Sequence, residues 1–241
     1  MKEDIMKKML FVLTLAVLTA IPAAAHEEIP EVEIFAGFSM QKIGVSNNDV
    51  RTFQDKVFGW NGTWNNNDTS FFLKSGMAGS VAYNLNEYFS IVTEGKYYQG
   101  DVIKGSYDFE FELPAMPGIP VQVQAPFVIG LKNVSVLAGP RFTYRNLLNE
   151  RATVFVHALA GLDYWRLHCD YSVSGIEHNA TGDKFGPGVS IGGGLDINVH
   201  EKIAVRVIQA DYYMTRQIEQ RMNNFNFSFG IVFRIGEKVL K

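Results

Sequence analysis

The chain has a single cysteine, Cys169, in 241 residues, which excludes an internal disulfide and a metal site of the Cys-rich type. It lacks a basic excess as well. Its 22 Lys and Arg stand against 25 Asp and Glu, for a formal charge of −3, and there is no basic patch of the kind that nucleic-acid binding needs. After residue 25 no apolar run approaches the roughly 18 residues of a membrane-spanning helix. No long helical pattern is present either.

The first 25 residues stand apart. Lys2, Lys7 and Lys8 precede an apolar run from Met9 to Ile21, which ends in the small residues Ala23, Ala24 and Ala25. This order reads as a secretory signal peptide cleaved before His26. No cysteine follows the run, so no lipid anchor is expected. Cleavage removes three lysines and two acidic residues, leaving 19 basic and 23 acidic residues and a formal charge of −4. Residues 26–241 are expected to form one β domain of ordinary size.

What remains is rich in alternation. In NNFNFSFGIVFRIG, near the C-terminus, Phe225, Phe227, Phe229, Ile231 and Phe233 fall on one parity, with Asn226, Ser228, Gly230 and Arg234 on the other. A period of two is the mark of a strand, whose successive side chains point to opposite faces. The same pattern predicts seven further strands: 32–42, 74–85, 89–98, 134–145, 152–165, 184–199 and 203–215. The seventh breaks its own rule, because Gln209 and Asp211 are odd-numbered and Arg206 is even-numbered. A β-bulge near Val207, or Arg206 snorkelling to a membrane edge, would reconcile them.

Connections of about three to six residues alternate with longer ones of up to 30 or more, and the last holds about seven. In an up-and-down barrel alternate connections lie at opposite ends, and outer-membrane barrels have short periplasmic turns and long outer loops. An antiparallel transmembrane barrel of eight strands is therefore expected, with both termini at the short-turn end. Within 99–133, SYDFEFEL (106–113) and VQVQAPFVIGL (121–131) also alternate. They form either a hairpin above the membrane or two more spanning strands, which would make ten.

An eight-stranded barrel has room inside only for its own side chains. The polar faces supply Gly and Ser together with Glu33, Glu94, Lys96, Arg141, Arg145, Asp163, Asp196, Asp211 and Arg234. These are the candidates for a paired structural network in the lumen. The apolar faces, including Phe225 to Phe233, would then meet lipid. No unpaired edge survives in lipid, so the last strand should close on the first and bring Arg234 to Glu33. Tyr83, Tyr88, Tyr97, Tyr144, Tyr164 and Tyr212 sit near strand ends, as interfacial girdles do. The opposite arrangement, a soluble lipocalin-like barrel binding an apolar ligand, has one sequence hint in Gly62-Thr63-Trp64, which lies in an Asn-rich loop rather than at a first strand.

The segments LAGPRFTYRN (137–146), VFVHALAGLDY (154–164), VSIGGGLDINV (189–199), VRVIQADYYMTR (205–216) and FNFSFGIVFRIG (225–236) resemble small bacterial outer-membrane β-barrel proteins related to the N-terminal domain of outer membrane protein A. The resemblance implies an integral outer-membrane barrel of a Gram-negative-type bacterium. It also implies that the terminal aromatic strand is the signal read by the outer-membrane assembly machinery. Here Arg234 to Lys241 follow Phe233, whereas the family's signal often ends the chain on an aromatic residue.

Chemistry is sparse. His168, Cys169, Asp170, Ser172, Ser174, Glu177 and His178 cluster in one polar stretch, but their spacing fits no nucleophile motif. His157 falls on the inward parity, where a hydrogen bond within the lumen is expected. SIGGGLD lacks the spacing of a phosphate-binding loop. No cofactor or metal is called for. The expected function is a non-enzymatic structural or surface-interaction role carried by the outer loops of a monomer in contact with outer-membrane lipid. A lipid-modifying enzyme or a narrow pore is the alternative.

Overall fold

The computed structural model describes residues 28–43, 63–69, 72–112, 120–148, 151–173, 175–217 and 220–239. The expected signal peptide, residues 1–25, lies outside the described residues, as do Gly62 and Ser174. Every described element is a strand: β1 (Glu28–Ile29), β2 (Val32–Lys42), β3 (Thr63–Thr69), β4 (Phe72–Asn84), β5 (Phe89–Glu112), β6 (Pro120–Leu147), β7 (Ala152–Val173), β8 (Ile176–His200), β9 (Ile203–Gln217), β10 (Gln220–Ile235) and β11 (Lys238–Val239).

Eight of these close into an antiparallel ring in the order β5, β4, β2, β10, β9, β8, β7, β6 and back to β5. β10 pairs with β2 from Phe225↔Lys42 to Ile235↔Val32, so the last long strand closes on the first, with Arg234 directly opposite Glu33. Beneath the ring, β1 and β11 form a two-residue ribbon that joins the two ends of the described chain.

The count of eight settles what 106–113 and 121–131 are. Residues 106–112 and 121–131 belong to the outer halves of β5 and β6, paired without a break in direction from Phe89↔Phe142 to Glu112↔Pro120. They rise as a hairpin and do not return through the ring. Much of what reads as long loops is likewise strand. β7 and β8 pair to Val173↔Ile176, and β9 and β10 to Gln217↔Gln220. β3, which opens at Thr63-Trp64, pairs with the outer part of β5 above the point where β4 takes over, continuing the line of β4 outward.

The strand faces are asymmetric. Phe225, Phe227, Phe229, Ile231 and Phe233 are 37–48% exposed, while Asn224, Asn226, Ser228 and Val232 are at most 1% exposed. Apolar side chains thus coat the outside of the ring, and polar and charged ones pack inside it around small apolar clusters such as Phe35, Ala78, Ala204 and Val232, the reverse of a lipocalin. Outward-facing Tyr83 and Tyr144 lie near the short-turn end, and Tyr97, Val134, Tyr164 and Phe185 form a cross-strand row near the other. On β6 about ten residues separate Tyr144 from Val134, which fits the 9–11 residues of a tilted spanning strand.

Glycine makes room in this narrow interior at defined places. A Cβ on Gly76 would strike the ring of Tyr98, and one on Gly194 the ring of Phe155 at 2.7 Å. In both cases the inward aromatic lies over a glycine of the neighbouring strand, a pairing that fills space no branched side chain could share.

Candidate functional site: the charged lumen and the outer collar

The inward side chains form two connected polar layers. In the layer nearest the short turns, Glu33 is 3% exposed and lies among three guanidinium groups. Its Oε2 accepts from Arg141 Nη2, its Oε1 accepts from Arg145 Nη2 at 3.2 Å, and Arg234 Nε stands 3.8 Å away. Arg141 also donates to Ser90 (3.1 Å), Arg145 to the backbone oxygen of Glu87, and Arg234 to Asn198 (2.8 Å).

Arg206 is the residue that regular alternation misplaces. The partners of β9 step from Gln209↔Ser228 to Arg206↔Gly230, and from Ile208↔Leu195 to Arg206↔Asp196. Val207 and Ile208 both face outward, 51% and 48% exposed, which is a β-bulge. Arg206 therefore turns inward and is 2% exposed, so of the two expected explanations the bulge holds and snorkelling does not. It makes a two-pronged pair with Asp196 (2.8 and 3.1 Å) and lies 4.3 Å from the ring centroids of both Phe35 and Phe155. A cation between two aromatic faces gains most where water is excluded.

The middle layer holds Glu94, Lys96, Asp211, His157 and Gln209. Lys96 Nζ lies 2.7 Å from Glu94 and 2.5 Å from Asp211. His157 Nε2 lies 2.9 Å from the other Asp211 oxygen, and Gln209 donates to Glu94 (2.7 Å) and Asp211 (2.9 Å). Glu94, His157 and Asp211 place their ligand atoms within 4.8 Å of one another, a spacing a metal ion could bridge. The Lys96 ammonium already stands among them and supplies the positive charge. Toward the outer end Asp163 accepts from Asn133 (2.5 Å), Thr215 (2.8 Å) and Trp165 Nε1. With Arg206 counted, five carboxylates (Glu33, Glu94, Asp163, Asp196, Asp211) face five cations (Lys96, Arg141, Arg145, Arg206, Arg234) in the interior.

Past the row of Tyr97, Val134, Tyr164 and Phe185 the strands form an outer collar, and on β6 and β7 the polarity inverts. Phe127, Ile129, Leu131, Trp165 and Cys169 are buried inside, whereas Lys132, Arg166, His168 and Asp170 face out. The sequence-derived cluster of reactive residues is thereby divided. Cys169 is inward and 8% exposed, and burial beside Asp170 pushes its thiol up to about 11, away from reactivity. His168 is outward, 2.9 Å from Asp170 and 3.1 Å from Thr181. His178 stacks on Tyr171 at 5.2 Å. A cavity of about 580 Å³ opens at this tip, lined by Phe127, Tyr171, Ser172, Glu177 and His178 among others.

Residues 11–234 match the outer membrane protein beta-barrel domain. The chain belongs to this family. Among solved structures, it is similar to Ail, the attachment invasion locus protein of Yersinia pestis, at 16% identity over 85% of this chain and 99% of that one (TM-score 0.42). It is also similar to the outer membrane protein OprG from Pseudomonas aeruginosa, at 8% identity over 89% and 99% (TM-score 0.39). The N-terminal barrel domain of OprF from the same organism matches at 10% identity over 86% and 100% (TM-score 0.34). No curated protein matches the chain. As a member of this family the protein is an integral outer-membrane β-barrel in contact with lipid, and its short turns face the periplasm.

Proposed function

We propose that this outer-membrane barrel is a non-enzymatic scaffold that presents the outer collar to partners outside the cell. The observation that carries the reading is the inverted collar. The paired strands β6 and β7, with an apolar inner face and a charged outer one, form a folded surface in water, with a cavity of about 580 Å³ at its tip. The lumen supports the same reading. Its charges are buried against one another, which suits a plugged barrel better than an open channel. The lumen network is structural in this account, Phe225, Phe227, Phe229, Ile231 and Phe233 meet lipid, and the terminal strand addresses a monomeric barrel to the assembly machinery after the leader, residues 1–25, is removed.

The test joins Gly100 to Leu131, which are cross-strand partners, through an Asn-Gly turn, so that the β5–β6 hairpin is lost. The trimmed chain should still reach the outer membrane and shift on an SDS gel only after boiling, while cells bearing it lose surface contacts that the full chain supports. Steady ion conductance by the purified full chain in planar bilayers would overturn the plugged reading.

A second reading rests on the line Asp170–His168–Thr181, in which His168 Nε2 stands 2.9 Å from Asp170 and Nδ1 3.1 Å from the Thr181 hydroxyl; it lies just above the lipid and has the order of an acid, a base and a hydroxyl nucleophile. In that case His168→Ala would abolish a modification of outer-leaflet lipid visible by mass spectrometry. An unchanged lipid profile between cells with and without the protein removes this reading.

A further inference from the structure

The layer of the lumen nearest the periplasm carries more positive than negative charge. Arg206 is matched by Asp196 through two hydrogen bonds. Glu33 is then the carboxylate that Arg141, Arg145 and Arg234 share, and one carboxylate neutralises one guanidinium. The donors show the same excess as the charges. The Nε–H groups of Arg145 and Arg234 are buried and meet no acceptor within hydrogen-bonding reach, and neither does the hydroxyl of Thr143, which is 1% exposed on β6 between Arg141 and Arg145. The side chains of Arg145 and Arg234 retain 14% and 10% of their exposure. Arg145 Nη1 reaches the β4–β5 turn at Glu87, so this layer lies at the mouth and not deep in the barrel.

Buried guanidinium groups without counter-charge are costly, and buried donors are normally satisfied. Arginine's fork is shaped for planar or tetrahedral oxyanions. We infer that the periplasmic mouth is an anion-binding site that takes one small oxyanion on Arg145 and Arg234, the excess cations around Glu33. The ligand completes the layer: it meets the part of the two guanidinium groups still open at the mouth, and its charge offsets those that Glu33 leaves over.

Inorganic phosphate is the probe, titrated calorimetrically into the full mature chain folded in zwitterionic detergent at constant ionic strength. The wild type should bind phosphate saturably, one per barrel. Arg145→Gln and Arg234→Gln should each weaken binding at least tenfold. Glu33→Gln removes the competing carboxylate and should tighten it, with the heat-dependent gel shift reporting whether each variant has folded. Absence of saturable binding by the folded wild type overturns the inference, as does wild-type affinity in folded Arg145→Gln and Arg234→Gln. The wild-type titration decides the matter even if no variant folds.

Discussion

Below the row of Tyr97, Val134, Tyr164 and Phe185 the sheet is apolar outside and charged inside; above it β6 and β7 are charged outside and apolar inside. β6 and β7 run through both regions without interruption, so neither backbone nor topology makes the difference. The surroundings do. Where hydrocarbon lies outside, the hydrogen-bonding groups turn inward and must find one another; where water lies outside, the ordinary rule of burial returns. The charged interior is thus a property of the spanning band and not of the barrel as such.

The two regions should respond differently to the same kind of change, and denaturant unfolding of the protein refolded into vesicles would measure each case. Asp196→Asn strands Arg206 between Phe35 and Phe155 and should cost about 3–5 kcal/mol, as breaking a buried pair does. Arg166 in the collar is already half exposed, and Asp183→Asn there should be hard to detect. Phe229→Arg puts a charge on the lipid face near mid-height and should cost about 2–4 kcal/mol. Thr181→Arg, outward in the collar, should be near neutral. A comparable loss at both sites would erase the boundary drawn at the aromatic row.

Glycine sharpens the contrast further. Gly194→Ala would drive a methyl toward Phe155 and the backbone oxygen of Ile208, and overpacking of this kind costs about 1–3 kcal/mol. A Cβ on Gly182 in the collar meets nothing within 4 Å, so Gly182→Ala should be neutral or slightly stabilising. The smallest effect concerns pH. The hydrogen bond from Arg166 holds the Asp183 carboxyl below its ordinary value. Its contribution to collar stability is therefore full above the free carboxyl's pKa and disappears as pH falls through the lowered one. Added salt should shrink it at every pH.

How far the sequence reached follows from the same division. Parity located the eight spanning strands and the closure of the last on the first, because a strand between lipid and lumen cannot avoid alternating. It failed at Arg206, where the bulge at Val207 and Ile208 reverses the parity within three residues. The slip between Arg206 and Gln209 was itself the signal, and it is why the fifth lumen cation was not counted. The stretches taken for long loops were misread for a different reason. Trp165 and Cys169 point in while Arg166, His168 and Asp170 point out, so the alternation persists with its sense inverted, and a template tuned to lipid reads that as loop. The pairing of Tyr98 with Gly76 and of Phe155 with Gly194 was not legible at all, since it depends on strand register.

The β5–β6 hairpin also sets a height. Of the strand that continues above the aromatic row, the stretch from Asp101 to Glu112 alone is 12 residues long. At about 3.3 Å per residue that is about 40 Å of strand, or about 30 Å of elevation at the tilt usual in such barrels. Anything approaching the cell meets the hairpin tip before it comes within molecular contact of the lipid. Among the described residues, these two strands carry the protein's surface farthest from the lipid.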